Sequence, residues 1–193
     1  MTIAFKFAFV AMCFFIALIS FFRCNSKKDW AWLVSGLAFT LGADYFLVLH
    51  NNHLVGIAVF CFAHVCYIIR ADKRKLFLIP LVAGLVFIAV WNGSVIMLAG
   101  IYAALFLVNL YVNFKFLQNK KTSIPKLNRA LIFTGLCLFA LCDVNVLIFN
   151  LPQYFNVDES LQAIFPLIWI FYLPSQALLA ISALRLLDDK NIS

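Results

Sequence analysis

The sequence predicts an all-α protein, a polytopic transmembrane bundle of about seven helices. Of its 193 residues, 65% are hydrophobic and only 12% are charged, and the mean hydropathy is +1.01. The hydrophobic residues also fall into runs close to the roughly 20 residues that a helix needs to cross the hydrocarbon core of a bilayer. A soluble domain of this size does not have such a composition. We therefore expect an integral, multi-pass membrane protein, located in the cell (plasma) membrane.

The first three spans are expected at residues 2–22, 30–49 and 54–69. A basic cluster follows the first run and no small-residue cleavage site ends it, so we expect this run to remain as a helix. The polar turn at 50–53 then separates the second span from the third. Each of the three runs is about long enough for one crossing.

The remaining four spans are expected at residues 76–91, 95–117, 128–149 and 163–184. The fourth and fifth are separated only by the tripeptide Asn-Gly-Ser at 92–94. We interpret it as a tight reversal, because the apolar stretch is too long for one crossing. Pro125 precedes the sixth span and Pro152 follows it. We treat residues 1–193 as a single membrane domain.

The basic residues indicate how the bundle is oriented. All but one of the 15 Lys and Arg residues lie in or close to the loops after the first, third and fifth spans or in the C-terminal tail, and the exception is Lys6. Because cytoplasmic loops carry an excess of basic residues, this distribution predicts an N-terminus outside and a C-terminus in the cytoplasm. The net charge of +7 then reflects orientation and contact with lipid headgroups. We expect membrane lipids, and no nucleic acid, as partners.

Two aspartates, Asp44 and Asp143, lie inside predicted spans. The other acidic residues lie in loops or the tail: Asp29, Asp72, Asp158, Glu159, Asp188 and Asp189. A charged side chain in the bilayer centre costs roughly 2.5 to 3.5 kcal/mol on insertion scales, so such residues usually mark a site. Both aspartates lie roughly 8 to 9 Å inside the outer ends of their spans. We therefore expect them to share one site, although each could instead stay protonated and hydrogen-bond a neighbouring helix.

Small residues repeat before the two aspartates. Gly36 and Gly135 each stand eight residues before an aspartate, which we interpret as a faint internal repeat. Gly36, Thr40 and Asp44 also recur every four residues, so they share one face of a helix. A stripe of small and polar residues on that face is expected to let another helix approach closely.

Other polar residues inside the spans are candidates to support the aspartates. His64 lies near the middle of the third span, where a single imidazole is about as often a packing group as a catalytic one. Asn109 shares a face of the fifth span with Asn113, and Tyr172 shares a face of the seventh span with Gln176. Hydrogen bonding between helices is the favoured role of these four residues. They are also candidates to line the pocket.

A metal site is a weak alternative. His50 and His53 flank a turn near Asp44 and suggest zinc, but the chain has only three histidines and no HExxH pattern. Five of the six cysteines lie within apolar spans, which is typical of small buried side chains. We expect no metal cluster and no disulfide framework.

Four segments of the sequence resemble a known family. They read GLAFTLGADYFLVL, VGIAVFCFAHVCYI, GLCLFALCDVNVLIF and FYLPSQALLAIS. They are similar to successive conserved blocks of the YhhN-like lysoplasmalogenase family, over about residues 30–184. The family usually has Gly-Asp in the first block and Ser-Asp in the second, whereas Ala43 and Cys142 precede the aspartates here. Family members also often have an eighth helix at the N-terminus, which is not among the seven predicted spans.

The resemblance implies a membrane hydrolase that cleaves the vinyl ether bond of lysoplasmalogens to a fatty aldehyde and glycerophosphoethanolamine or glycerophosphocholine. It implies a lysophospholipid substrate and no metal or organic cofactor. Asp44 and Asp143 would be the catalytic pair, one as a general acid and the other as an anion that stabilises an oxocarbenium ion. Four supporting residues would bind water, hold the aspartates or contact the substrate: His64, Asn109, Tyr172 and Gln176.

Two other functions stay open on the sequence. The same aspartates, with His64 and the polar helix faces, suit a proton-coupled or cation-coupled transporter of small molecules or lipids. Transporters tend to show inverted repeats with broken helices, whereas the repeat at the two aspartates is parallel. In an inert membrane scaffold, the third possibility, the two aspartates would contribute to stability only.

Overall fold

A computed structural model describes residues 3–154 and 163–185, and these residues form an all-helical bundle. The predicted fold class is therefore confirmed. Within those ranges the seven α-helices are α1 Ile3–Ile19, α2 Lys27–Asp44, α3 His53–Ala71, α4 Leu78–Trp91, α5 Val95–Gln118, α6 Lys126–Tyr154 and α7 Phe165–Ile181. Six helical stretches are long and apolar enough to cross a membrane, and α7 is a shorter apolar helix.

Some of the sequence predictions concern residues outside the described ranges. These are Thr2 in the first span and the residues assigned to a loop or the tail, Asp158, Glu159, Asp188, Asp189 and Lys190. The orientation of the termini and the single-domain organisation also stay predictions.

Capping side chains fix where three of the helices begin. Ser26, Asn52 and Ser94 precede α2, α3 and α5, and the side-chain oxygen of each accepts a hydrogen bond from the backbone N–H three residues later. Such caps satisfy N–H groups that a helix leaves unpaired at its start. Between α4 and α5, Gly93 has a φ of 62°, which glycine adopts without strain. The tight reversal predicted at 92–94 is confirmed.

Two helix ends differ from the prediction. α2 ends at Asp44 and Tyr45–Leu49 form a π-helix, whereas the sequence predicts one regular helix to residue 49. A π turn bonds each N–H one residue farther back than an α turn, and hydrophobicity does not reveal that choice. α6 runs to Tyr154 with Pro152 inside it, although the proline predicts an earlier end. Proline removes one backbone hydrogen bond, but it does not prevent the two residues after it from keeping helical dihedral angles.

α3 occupies the centre of the bundle. Of its most apolar stretch, 67% is buried inside the protein, compared with 17% for the stretch that contains α4. α2 and α5 pack on α3, α6 pairs with α7, and α1 contacts both α2 and α7. One hydrophobic core joins Leu33 of α2, Tyr67 of α3, Phe139 of α6 and Leu179 of α7. Polar side chains on α3 therefore lie among other helices.

The glycines before the two aspartates each face a neighbouring helix. A Cβ atom at Gly36 would stand 2.5 Å from Cε1 of Tyr67 on α3, and Oγ1 of Thr40 lies 3.4 Å from the Tyr67 hydroxyl. A Cβ atom at Gly135 would stand 3.2 Å from the backbone O of Ser175 on α7. At Gly36 a larger residue would force Tyr67 to move, which confirms the close approach expected of the small-residue stripe. At Gly135 the contact is tight, but a small shift of the neighbouring helix would relieve it.

Gly36→Ala is expected to lower the free energy of unfolding by about 1 to 3 kcal/mol, because the added methyl group overpacks against Tyr67. The matched control is Gly84→Ala on α4, where a Cβ atom meets nothing within 4 Å. There the higher helix propensity of alanine is expected to preserve or raise stability. Thermal unfolding of both variants in detergent measures the difference. A Gly36→Ala variant as stable as Gly84→Ala would contradict the close approach.

A buried ion pair joins the helices at the end of the bundle opposite the α2–α3 turn. Arg70 donates from Nε and Nη2 to the two carboxylate oxygens of Asp29, at 2.9 Å each, and from Nη1 to Oγ of Ser182 at 2.9 Å. Nδ2 of Asn128 donates to the backbone O of Ser182 at 2.8 Å. We call these four residues the Arg70 clamp. It connects α2, α3 and α6 to the end of α7, and a cavity of about 270 Å³ opens beside it.

Candidate active site

Each of the two intramembrane aspartates accepts a hydrogen bond from a tyrosine on another helix. The Tyr172 hydroxyl of α7 donates to Oδ2 of Asp44 at 2.5 Å, and the Tyr102 hydroxyl of α5 donates to Oδ2 of Asp143 at 2.6 Å. Asp44 is buried and Asp143 is half-buried. Packed rings connect the two tyrosines, so each aspartate is held at the same group of aromatic side chains. That the two carboxyl groups share one site stays a prediction.

Aromatic rings fill the space between the two tyrosines. The ring centroid of Phe139 lies 5.5 Å from that of Tyr172 and 5.6 Å from that of His64. The His64 ring centroid lies 4.8 Å from that of Tyr102. We call the whole group the aromatic cluster: Phe60, His64, Tyr102, Phe106, Phe139 and Tyr172. Such surroundings have a low dielectric constant and strengthen electrostatic interactions with the carboxyl groups.

His64 lies in the middle of the aromatic cluster and is fully buried. Its Nδ1 is 3.0 Å from Nδ2 of Asn109, and Oδ1 of Asn109 accepts from Nδ2 of Asn113 at 2.7 Å. Because Asn113 binds the amide oxygen, Asn109 presents its NH₂ group to the imidazole, so Nδ1 accepts. The ring proton then lies on Nε2, which has no partner among the described residues. His64 therefore offers one N–H donor inside the cluster.

Gln176 lies one turn after Tyr172 on α7 and is also fully buried. Its Nε2 is 3.2 Å from Oγ of Ser175, and that hydroxyl donates to the backbone O of Tyr172 at 2.7 Å. Oε1 of Gln176 has no partner in the part of the chain that the structure describes. Gln176 thus bonds Ser175 and not an aspartate, and it leaves one acceptor near Tyr172.

Two residues of the site are missed by reasoning from the sequence. Tyr102 lies seven residues before Asn109, so it shares the polar face of α5, and following that face for two more turns would have found it. Lys6 is buried against Trp169, whose ring lies 5.8 Å from that of Tyr172. In the sequence, Lys6 stands out only because it is the one basic residue on the predicted outer side of the membrane.

The zinc alternative is not supported by the positions of its candidate ligands. The His50 ring packs 4.5 Å from the Tyr45 ring, and Asp44 is bonded by Tyr172. Within residues 3–154 and 163–185, no group of three or more His, Cys, Asp or Glu side chains is arranged to hold a metal ion.

The sequence matches a known protein family. A sequence model of the YhhN family matches residues 1–183, which include both aspartates and the whole aromatic cluster. No curated protein and no solved structure matches the chain.

Proposed function

Because the chain belongs to the YhhN family, we propose that it hydrolyses the vinyl ether bond of lysoplasmalogens, as the lysoplasmalogenase resemblance implies. The products are a fatty aldehyde and glycerophosphoethanolamine or glycerophosphocholine. The observation that carries the proposal is the pair of intramembrane carboxyl groups, each held by a tyrosine hydroxyl at one aromatic cluster. An acid and an anion in apolar surroundings are what this reaction needs.

The chemistry divides into steps that two carboxyl groups can perform. A vinyl ether resists nucleophiles, so hydrolysis begins when one carboxylic acid protonates the outer alkene carbon and leaves an oxocarbenium ion. The other carboxylate stabilises the cation and takes a proton from the attacking water, which gives a hemiacetal. The second carboxyl group then gives the proton that it took from water to the glycerol oxygen, and the C–O bond to glycerol breaks. The first carboxylate takes the hydroxyl proton of the hemiacetal as the aldehyde forms, so both carboxyl groups return to their starting states. Glycosidases divide their work between two carboxyl groups in the same way.

The neighbouring polar groups have roles that follow from their contacts. Tyr102 and Tyr172 hold the carboxyl groups in place, since each hydroxyl donates to one carboxyl oxygen. Nε2–H of His64 is a donor for the attacking water, and Asn109 keeps the imidazole in that tautomer. Oε1 of Gln176 is an acceptor for a glycerol hydroxyl of the substrate.

The surface of α6 supports entry of the substrate from the lipid. Asp143 is half-buried, and the side chains of Leu141, Val144 and Leu147 around it are 47%, 53% and 62% exposed. Apolar side chains exposed on a spanning helix lie against acyl chains in a membrane. A single-chain lipid therefore reaches Asp143 laterally, with its tail in the hydrocarbon and its headgroup near the interface.

The proposal is tested with purified protein in detergent and three lipids that differ at one linkage. They are a 1-alkenyl lysophospholipid, its 1-acyl ester and its 1-alkyl ether. We expect fatty aldehyde from the 1-alkenyl lipid alone, because only a vinyl ether forms an oxocarbenium ion on protonation. Asp72→Asn removes a carboxyl group from the loop between α3 and α4 and is expected to retain full activity. Absence of aldehyde from well-folded protein over a range of pH would overturn the proposal.

A further inference from the structure

Lys6 is a buried cation in the first helix. Only 4% of it is exposed, and Nζ lies 3.9 Å from the ring centroid of Trp169 and 4.4 Å from that of Phe165, both on α7. A lysine near the end of a membrane helix ordinarily extends its ammonium group into the interface. Here two ring faces hold the ammonium group against α7, so its position is determined by the packing of two helices.

The ammonium group and the indole beside it have hydrogen-bond donors without an acceptor among residues 3–154 and 163–185. Neither of the salt bridges among the described residues includes Lys6. Nε1 of Trp169 is buried and has no acceptor among those residues either. Ring faces attract a cation but do not neutralise its charge. The Lys6 ammonium group lies over the face of the Trp169 indole, and the indole also carries an N–H donor. An anion with acceptor oxygens is the kind of ligand that both groups attract.

The distance from Lys6 and Trp169 to the carboxyl groups matches the distance between the phosphate and the alkene of the substrate. The Trp169 ring is 5.8 Å from that of Tyr172, which donates to Asp44. Trp169 and Phe165 precede Tyr172 by three and seven residues, so the ammonium group lies roughly 5 to 10 Å nearer the start of α7. In a lysoplasmalogen, about seven bonds join the alkene carbon that takes the proton to phosphorus, a reach of roughly 8 to 9 Å.

We propose that Lys6 and Trp169 bind the phosphate group of the lysophospholipid, an inference that rests on the proposed function for the identity of the reacting bond. The Lys6 ammonium group supplies the opposite charge, and the indole N–H supplies a directed hydrogen bond. With the phosphate there, the vinyl ether lies beside Tyr172 and Asp44. Lys6 and Trp169 also determine substrate specificity, because a neutral 1-alkenylglycerol has no anionic group for them to bind and therefore binds less tightly.

Binding measurements separate this subsite from the reaction. Two non-hydrolysable ligands with the same alkyl chain, a 1-alkyl lysophosphatidylethanolamine and a 1-alkylglycerol, are titrated calorimetrically against the purified protein. Lys6→Gln is expected to weaken binding of the phosphorylated ligand by about tenfold or more, with binding of the glycerol ether unchanged. Lys6→Arg keeps the charge and is expected to bind both ligands as the wild type does. Lys115→Gln is the matched control, because Lys115 also lies over a ring, that of Tyr111 at 4.6 Å.

Two results would overturn the subsite. If Lys6→Gln lost affinity for both ligands equally, the role of Lys6 would be structural. If the wild type bound both ligands with equal affinity, the protein would not recognise the phosphate. Neither result depends on catalysis. A phosphate preference that requires Lys6 supports the subsite even where no aldehyde forms, and in that case the proposed reaction alone is wrong.

Discussion

Replacing Asp44 or Asp143 with asparagine is expected to lower the rate of fatty aldehyde release by about 10²- to 10⁴-fold, the usual contribution of a positioned acid or base. Asparagine has nearly the same size and keeps a carbonyl oxygen for the tyrosine hydroxyl. It can neither protonate carbon nor carry the charge that stabilises the oxocarbenium ion. Because one turnover needs both groups, each single substitution is expected to be nearly as damaging as the double one. The rate is measured with a 1-alkenyl lysophospholipid at saturating concentration.

The control for the two aspartate variants is a measurement of their thermal unfolding. Each is expected to keep the unfolding temperature of the wild type in detergent, because the tyrosine hydroxyls of Tyr102 and Tyr172 retain an acceptor. Asp72→Asn controls for the loss of a carboxyl group elsewhere. Aldehyde release at the wild-type rate by the double variant Asp44→Asn, Asp143→Asn would remove both residues from the mechanism.

Arg70→Met is expected to lower the free energy of unfolding by about 3 to 5 kcal/mol, the usual cost of removing one partner from a buried ion pair. The side chains of Arg70 and Asp29 are only 1% and 8% exposed. Methionine therefore leaves the Asp29 carboxylate without a counter-ion and the Ser182 hydroxyl without its donor. Unfolding of the purified variant in detergent measures the loss.

Two further variants show whether the loss comes from the clamp. Arg74→Met is the matched control, because the Arg74 side chain is 90% exposed in its pair with Asp72 and exposed pairs contribute little. Arg70→Met combined with Asp29→Leu is expected to recover much of the stability, since apolar side chains often replace a buried ion pair at little cost. Equal stability of Arg70→Met and Arg74→Met would contradict a structural role for the Arg70 clamp.

The number and order of the helices follow from the sequence because the thickness of a bilayer fixes the length of an apolar run. Polar turns and cap residues such as Asn52 then locate the helix starts to within a few residues. The π-helix at Tyr45–Leu49 and the continuation of α6 through Pro152 do not follow in this way. The hydrophobic pattern indicates which residues are helical, but it does not indicate which carbonyl group accepts the hydrogen bond from each backbone N–H.

The two aspartates can be singled out from the sequence because intramembrane carboxyl groups are rare. Tyr172 is among the predicted supporting residues, but which hydroxyl bonds which aspartate does not follow from the sequence. Tyr102 and Tyr172 reach the aspartates only because α5 and α7 are rotated to present those hydroxyls, and helix rotation is set by packing across the whole bundle. Lys6 likewise is visible only as an exception to the charge pattern, since its aromatic partners come from the other end of the chain.

Because α3 lies at the centre of the bundle, its buried polar groups have partners on helices that are synthesised before it and on helices that are synthesised after it. A chain is made from its N-terminus, so α3 leaves the ribosome after α2 and before α5 and α7 exist. Asp29 is already present to pair with Arg70, so this ion pair between α2 and α3 needs no later helix. His64 must wait for Asn109 of α5. A nascent chain that stalls after α4 therefore has both partners of this ion pair but an incomplete aromatic cluster, and it gains the proposed chemistry only when the later helices arrive.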